Sequence, residues 1–549
     1  MAITTLGIAS GIGDLHQIPI GKACRSIHKP NVPGVHVLSI TGIERYNVTI
    51  FPGVLLPYPI SGLEFCDVEV IISHPGIDDQ VRITVWLPLK DWNSRFQATG
   101  GGGFATGIFE PMLAKALEAG YAAAATDGGH VLDAVDPSSW ALKNDGSVNW
   151  ELLRNFASRS LHDMAIVGKA VTTDFYSTKP RYSYWNGCST GGRQGYMIAQ
   201  KYPNDFDGIL ANAPAIYWSS LDPSGIWPHI VMHEYNTFPS LCEYEYFVSA
   251  ALAECDMLDG VQDGVILDPL SCPFEPHSLV GSTITCSNKS ISITAVTASI
   301  VQKILSGPQS SSGASLWPGP TLGTPLHSLA NPKVPFPISA NWIRYFVLKQ
   351  PQFNISSITG PDFAWLFAQS MAEYGWIMDA ADPNLSSFCA GGGKLLTWHG
   401  TADPLITIAN TLRYRERVEA EMGGASAVDK FYRLFLAPGV GHCGDGKGPV
   451  PVDALEKLVK WVEEGKEPES LWAETVDGDG NLINRDLCKY PAKLKWTGKG
   501  DWKLSESWTC ESYETQMAGR LAMGKPTTWE IFHASILKEK FFGFVKGYF

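Results

Sequence analysis

Hydrophobic and polar positions alternate in a regular way along the first part of the chain. Val68–Ile72 and Val81–Leu87 are apolar and β-branched, with turn residues between them at Pro75–Asp79, and predict two strands. Arg95–Ala98 leads into four consecutive glycines, Gly100–Gly103, and Met112–Ala119 has helical composition. Tyr121–Thr126 is a short apolar run that stops at Asp127-Gly128-Gly129, as a strand buried on both faces does. Leu161–Phe175 predicts a helix, and Tyr182–Trp185 a strand ending abruptly at Asn186-Gly187. Arg193–Lys201 predicts a helix and Gly208–Ala211 another buried strand. Strands and helices in this order imply a parallel α/β sheet. From about Trp218 to Cys389 the alternation stops and Pro, Ser and Cys become frequent. A structureless loop of that length is implausible, so an inserted domain is expected. Alternation returns with Lys394–Trp398, a helix around Leu412–Met422, Phe431–Leu436 and a helix at Val452–Glu464. The expectation is an α/β core made of residues 1–217 and 390–549, split by an inserted domain at 218–389.

Composition narrows the classes. Apolar residues are 45% and charged residues 18% of the 549, which excludes a disordered chain. The 42 Lys+Arg against 55 Asp+Glu leave a net charge of −13, so there is no electrostatic footprint for nucleic acid or an anionic membrane. No run is long enough to span a bilayer; Met112–Ala125 is broken by Lys115 and Glu118. The 11 cysteines are spread out and do not form CxxC pairs, which disfavours zinc. With N-x-S/T sequons at Asn47, Asn288, Asn354 and Asn384, they point to an oxidising compartment and to secretion. Met1–Ile20 reads poorly as a signal peptide, because it has no basic n-region and its apolar run is broken by Gly11, Gly13, Asp14 and His16.

The strongest local signal is Gly187-Cys188-Ser189-Thr190-Gly191-Gly192-Arg193. It matches G-x-S-x-G between a predicted strand and a predicted helix, the context in which a serine nucleophile stands exposed on a tight turn. Such a serine needs an acid and then a histidine, each after a later strand. Asp403 follows Lys394–Trp398, and His442 follows Phe431–Leu436, so these are the acid and the base. His399 is the rival base, but it precedes the acid at a strand terminus; His130 is a candidate pocket residue. The oxyanion donors expected are the Thr190 amide and an amide of the glycine run, Gly101 or Gly102. That run lacks the GK[S/T] ending of a phosphate cradle. If Ser189 and His442 are hydrogen-bonded, Cys188 and Cys443 fall within the roughly 4.4–6.8 Å Cα separation that a disulfide needs.

Gly-Cys-Ser-Thr-Gly-Gly-Arg-Gln-Gly at 187–195, His-Gly-Thr-Ala-Asp-Pro-Leu-Ile at 399–406 and Gly-Val-Gly-His-Cys at 439–443 resemble the fungal tannase and feruloyl esterase family. A bacterial mono(hydroxyethyl) terephthalate hydrolase resembles the same family. The similarity runs from about Phe65 to Cys510. It implies an α/β-hydrolase core with a large inserted lid, acting on small phenolic esters with Ser189, Asp403 and His442 as triad and a Cys188–Cys443 bond beside them. It also implies a structural calcium loop, with oxygens from Asp256, Asp259, Val261, Asp263 and Val265, closed by Cys255–Cys272; no organic cofactor is expected. Bridges Cys488–Cys510 and Cys24–Cys66 follow from the same resemblance, leaving Cys242, Cys286 and Cys389 with one thiol unpaired. The glycine run looks more tannase-like and the elbow more feruloyl-esterase-like, and the reading leans narrowly to galloyl esters, with hydroxycinnamoyl esters as the alternative. A non-catalytic binding module would lack a triad member, and all three are present; a serine peptidase is the remaining rival on this fold.

Overall fold

In a computed structural model, the structure describes residues 21–53, 56–310 and 312–512. Met1–Ile20, which reads poorly as a signal peptide, and the outermost parts of the expected core segments lie outside these residues. Among the described residues nine strands form the main sheet: β1 (His36–Ile50), β2 (Ile60–Ser73), β3 (Val81–Pro88), β4 (Arg95–Thr99), β5 (Ala122–Thr126), β6 (Tyr182–Cys188), β7 (Gly208–Asn212), β8 (Lys394–Gly400) and β9 (Tyr432–Ala437). Their spatial order is β1-β2-β3-β5-β4-β6-β7-β8-β9. The first three strands pair antiparallel and β3 meets β5 antiparallel; from β5 to β9 every pairing is parallel. From β5 onward this is the parallel sheet expected from the alternation, and the whole is the α/β-hydrolase core that the resemblance implies.

Parallel strands must be covered on both faces, and their composition shows it. All five residues of β5, Ala-Ala-Ala-Ala-Thr, are buried. One face packs on helices α2 (Ser160–Tyr176) and α3 (Thr190–Lys201), through Leu161, Met164, Val167, Met197 and Ile198. The other packs on α1 (Glu110–Glu118) and on Ala454–Glu464, through Leu113, Leu117, Leu458 and Trp461. The sequence pattern missed β1. This edge strand is mostly exposed, so it carries no two-sided apolar run and no clean alternation.

Residues 213–393 separate β7 from β8, yet these strands are parallel neighbours, with Leu395 opposite Ile209. The intervening chain adds no strand to the main sheet and is largely helical. It begins with α4 (Trp218–Ser224) and includes α5 (Gly360–Met378). Its aromatic and aliphatic interior is continuous with Phe104, Trp140, Leu153 and Phe156 of the core segment. Arg193 of α3 fixes this seam. It is fully buried, donates to the carbonyls of Phe156, Ala157 and Met378, and lies against the rings of Phe156 and Trp218. Asp379 nearby accepts from the Ser219 amide and hydroxyl, both at 2.8 Å, and so holds the start of α4.

Five disulfides are present: Cys24–Cys66, Cys188–Cys443, Cys242–Cys286, Cys255–Cys272 and Cys488–Cys510. Cys389 is the remaining thiol. The asparagines of all four sequons, Asn47, Asn288, Asn354 and Asn384, are exposed. Among the described residues no helix is long and apolar enough to cross a membrane.

Replacing Arg193 by Met keeps the length of the side chain but strands three buried carbonyls. Denaturant unfolding should show Arg193→Met losing about 3 kcal/mol of stability; a loss under about 0.5 kcal/mol, the size of an ordinary surface change, would mean that Arg193 does not hold the seam.

Candidate active site

Ser189 stands where β6 turns into α3. Its backbone is held at φ 63° and ψ −122°, which side-chain-bearing residues rarely adopt and which surrounding contacts must enforce. Gly187 is required two positions earlier, since a Cβ there would come within 2.5 Å of the Gly191 carbonyl oxygen. The helix after the serine is tied to the glycine run. The Gly191 amide donates to the Gly101 carbonyl at 3.0 Å, and the Thr190 hydroxyl donates to the Gly103 carbonyl at 2.8 Å. Gln194 bridges the two segments: it accepts from the Gly101 amide at 2.9 Å and donates to the Thr106 carbonyl at 3.0 Å.

That bridge corrects the expected oxyanion donors. The Gly101 amide already serves Gln194, and the Gly102 amide donates to the Ala105 carbonyl at 3.1 Å. Neither is open to a ligand in this structure. The amide of Gly103 has no acceptor among the described residues, and Gly103 lines the same cleft as Ser189 and Thr190. Thr190, as the first residue of its helix, has an N–H without an intrahelical acceptor. The run was legible as a glycine loop; which amide stays open depends on its turn, and on Gln194, which had no assigned role.

Asp403 and His442 meet on the loops that leave β8 and β9. Asp403 Oδ1 accepts from the amides of Leu405 and Ile406, at 2.8 and 2.9 Å. Its Oδ2 accepts from His442 Nδ1 at 2.8 Å and from His399 Nε2 at 3.2 Å. Burial pushes the Asp403 carboxyl up, but the charge of His442 and the hydrogen bonds from His399 and His442 outweigh it, holding the acid well below the usual carboxylate range. Burial pushes His442 down; the charge and hydrogen bond of Asp403, with Asp445 beyond, outweigh that and hold its pKa above the ordinary value. With Nδ1–H committed to Asp403, neutral His442 keeps its lone pair on Nε2. The Cys188–Cys443 bond ties the residue before Ser189 to the residue after His442, with Cα atoms 6.0 Å apart.

His399 is no rival base. It is fully buried; its Nε2 faces the Asp403 carboxylate and the Ile406 carbonyl at 2.9 Å, and its Nδ1 faces the Thr411 hydroxyl at 2.9 Å. It therefore carries its proton on Nε2 and helps to hold the acid. His130 is also structural. It is buried, stacks on Trp140 and bonds the Thr106 hydroxyl at 2.8 Å, and burial lowers its pKa to about 4.

Ser189 opens onto a cleft walled by Trp218, Trp227, Trp317, Phe336 and several prolines and leucines. Most of that wall comes from the inserted segment. A second, more polar space, carrying Asp445, Lys447 and His327, lies on the other side of Pro404 and Leu326, which line both.

The acidic loop borders that second space through Gly264 and Val265. It also buttresses the histidine loop: a Cβ on Gly439 would meet the Val265 side chain at 2.7 Å. Asp256 accepts from the amides of Asp263 and Gly264, Asp259 from that of Val261, and Asp263 from that of Val265. Burial, with the charges of the neighbouring acids, pushes Asp259 to about 6 and Asp263 to about 7. Carboxylates and backbone carbonyls are the hard oxygens a calcium ion takes, but in this structure Asp263 faces Arg485 at 3.6 Å. As they stand, no three His, Cys, Asp or Glu side chains among the described residues converge into a metal-binding cluster.

Residues 66–511 match the family described as tannase and feruloyl esterase. A probable feruloyl esterase of Arthroderma benhamiae is 47% identical over 508 residues, covering 90% of this chain and 94% of that protein. Feruloyl esterase B of Aspergillus niger is 33% identical over 470 residues, covering 82% and 87%. Among solved structures, tannin acyl hydrolase from Aspergillus niger aligns with a TM-score of 0.80 at 25% identity, covering 89% of this chain and 93% of that one. Feruloyl esterase B from Aspergillus oryzae aligns at 0.76 and 28%, covering 89% and 99%. The chain belongs to the tannase and feruloyl esterase family and is a carboxylic ester hydrolase of that family.

Proposed function

We propose that this chain is a secreted feruloyl esterase, hydrolysing esters of hydroxycinnamic acids through an acyl-enzyme. The observation that carries the reading is the 47% identity, over nearly the whole of both chains, to a protein named as a probable feruloyl esterase. The lean to galloyl esters drawn from Gly100–Gly103 is not retained. The sequence relatives cited above carry feruloyl esterase names, whereas tannin acyl hydrolase resembles this chain at 25% identity. Five disulfides and four exposed sequon asparagines support an oxidising, extracellular setting.

In this reading His442 Nε2 takes the Ser189 proton as Oγ attacks the ester carbonyl. The amides of Thr190 and Gly103 receive the oxyanion, and Asp403 holds the imidazole and balances its positive charge. His442 then protonates the leaving alcohol; in the second half His442 Nε2 takes a proton from a water as it attacks the acyl carbonyl and gives that proton to Ser189 Oγ as the acid leaves. The inserted segment acts as the lid that forms the acyl pocket. A calcium ion, held by Asp256, Asp259, Asp263 and the carbonyls of Val261 and Val265, would neutralise the loop that supports the histidine segment.

Three measurements test this. Rates on methyl ferulate, methyl gallate and an aryl amide should rank ferulate first, and Ser189→Ala should lower the ferulate rate by roughly 10⁵-fold or more; a gallate preference or retained activity in Ser189→Ala refutes the assignment. The pH profile has a definite sign. His442 must be neutral to act as base, and its pKa is raised above 6.5, so kcat/KM should fall as pH drops, with an acidic limb centred above 6.5. Asp445→Asn removes a negative charge that favours the imidazolium and should move that limb to lower pH; a limb that stays put assigns it to another group. For the metal, purified protein should contain about one calcium per chain, and chelation should lower the melting temperature. No bound metal and an unchanged melting curve would remove calcium from the description.

A further inference from the structure

Away from Ser189, three buried ionisable side chains converge. His74 follows β2, Asp79 stands just before β3, and Asp163 lies in the first turn of α2. They are 6%, 7% and 4% exposed. His74 Nδ1 faces Asp79 Oδ2 at 2.7 Å, and its Nε2 faces Asp163 Oδ2 at 3.0 Å. The ester chemistry described above uses none of the three.

A neutral imidazole has one N–H and one lone pair, so it can serve only one carboxylate as donor. Either tautomer would aim a lone pair at a buried carboxylate oxygen within hydrogen-bond distance. With both nitrogens protonated, each carboxylate receives a charge-assisted bond and one cation sits between two anions. Asp79 is an ionised acceptor on other grounds as well. Its Oδ1 accepts from the His74 amide at 2.9 Å and its Oδ2 from Asn155 Nδ2 at 2.9 Å.

The neighbouring charges leave that arrangement standing. Arg159 lies 3.7 Å from Asp79 and opposes a second cation, but it also donates to Asn155 at 2.6 Å and to the Glu151 carboxylate at 2.8 Å. His162, beside Asp163 in sequence, turns to Asp205 at 2.8 Å, and Tyr202 feels the Asp163 charge from further off. Burial pushes the His74 ring down; the hydrogen bonds to Asp163 and Asp79 outweigh it and hold the ring above its ordinary 6.5.

The position gives the trio a consequence. β3 runs antiparallel to β5, with Ile83 opposite Thr126, so the start of β3 lies at the edge of the sheet where β5 ends and the loops of the Ser189 site emerge. Asn155 and Arg159 begin and end a π-helical turn. The carbonyls of Phe156 and Ala157 in that turn accept from Arg193, which seats the insert. The bonds that hold Asn155 to Asp79 therefore support the turn on which Arg193 leans.

We propose that His74 is a buried imidazolium clamped between Asp79 and Asp163, and that its loss of a proton is a switch that loosens the turn 155–159 beneath the insert as the pH rises. The folded chain binds this proton more tightly than the unfolded chain does. Its stabilisation is therefore complete below about pH 6.5 and is lost as the pH climbs through the raised folded value.

The test uses the full chain labelled with 15N-histidine. At about pH 6 one ring should show two protonated nitrogens, and its signals should be missing from His74→Gln. That ring should titrate above 6.5, and Asp163→Asn, which removes one charge but keeps a polar side chain, should lower its midpoint. Hydrogen exchange of the amides 155–159, corrected for the intrinsic effect of pH, should lose up to about tenfold in protection per pH unit across the titration; His74→Gln should show no such step. A bare nitrogen on the His74 ring at about pH 6, or a midpoint at or below 6.5, overturns the imidazolium. A ring that titrates as expected while protection of 155–159 does not follow it overturns the switch. If His74→Gln does not fold, the midpoint displaced by Asp163→Asn identifies the ring, and the wild-type exchange profile still decides.

Discussion

A carboxylate kept ionised in the interior of a protein costs several kcal/mol unless donors surround it, and the arrangement around Asp403 follows from meeting that demand. Two amides of its own loop occupy one oxygen, and His442 and His399 share the other. Each donor fixes something else. The amides shape the loop after β8, His399 locks that loop to Thr411 on the following helix, and His442 is left with its free nitrogen on the side away from the acid. His442 is thus oriented by the same bonds that keep Asp403 charged. Removing the negative charge would disturb the loop, the tautomer and the histidine pKa together.

Orientation alone does not bring His442 towards Ser189, which lies on a different crossover of the sheet. Parallel neighbours β6, β7, β8 and β9 deliver Ser189, Asp403 and His442 to one edge, and the Cys188–Cys443 bond closes the remaining gap with a covalent link. The strained backbone of Ser189 is held from the other side by the glycine run through Gly191, Thr190 and Gln194. Arg193, one turn along the same helix, anchors the inserted segment, so the helix that begins at the serine also positions the wall of its cleft.

Much of this was legible in the sequence, for a physical reason. Strands buried on both faces read as short apolar runs, and the residues that must act at their ends sit in Gly-rich loops whose order along the chain is constrained. Ser189, Asp403, His442 and the cysteines flanking two of them follow from those rules. What stayed hidden depends on contacts between distant segments. The edge strand His36–Ile50 is mostly exposed and has no apolar signature. The open amide in the glycine run could not be chosen without knowing that Gln194 takes that of Gly101. His399 reads as a packing residue or a rival base until its contact with Asp403 is seen. The insertion is helical, but its Pro- and Ser-rich connections conceal the periodicity of helices such as Gly360–Met378.

The same division explains why fold similarity does not separate galloyl from hydroxycinnamoyl hydrolysis. Both a tannin acyl hydrolase and a feruloyl esterase superimpose on this chain with comparable scores, because the sheet and the loops at its edge are common to them. The chemistry at the carbonyl is the same for either acid, so nothing in the triad needs to differ. The acids differ at the far side of the ring, in the number and spacing of its oxygens, and in the reach between ring and carbonyl. Discrimination must come from the walls of the cleft, most of which the inserted segment supplies. An apolar wall gains little from one hydroxyl more or less, whereas a buried polar atom left unpaired by the wrong ring is penalised strongly. Trp218 and Asp222 on the insert line the same cleft as Ser189 and Thr407 on the core, so the shape of the cleft depends on how the insert is seated. Arg193 holds that seat, and the helix that begins beside Ser189 thereby fixes the wall of the cleft in front of it.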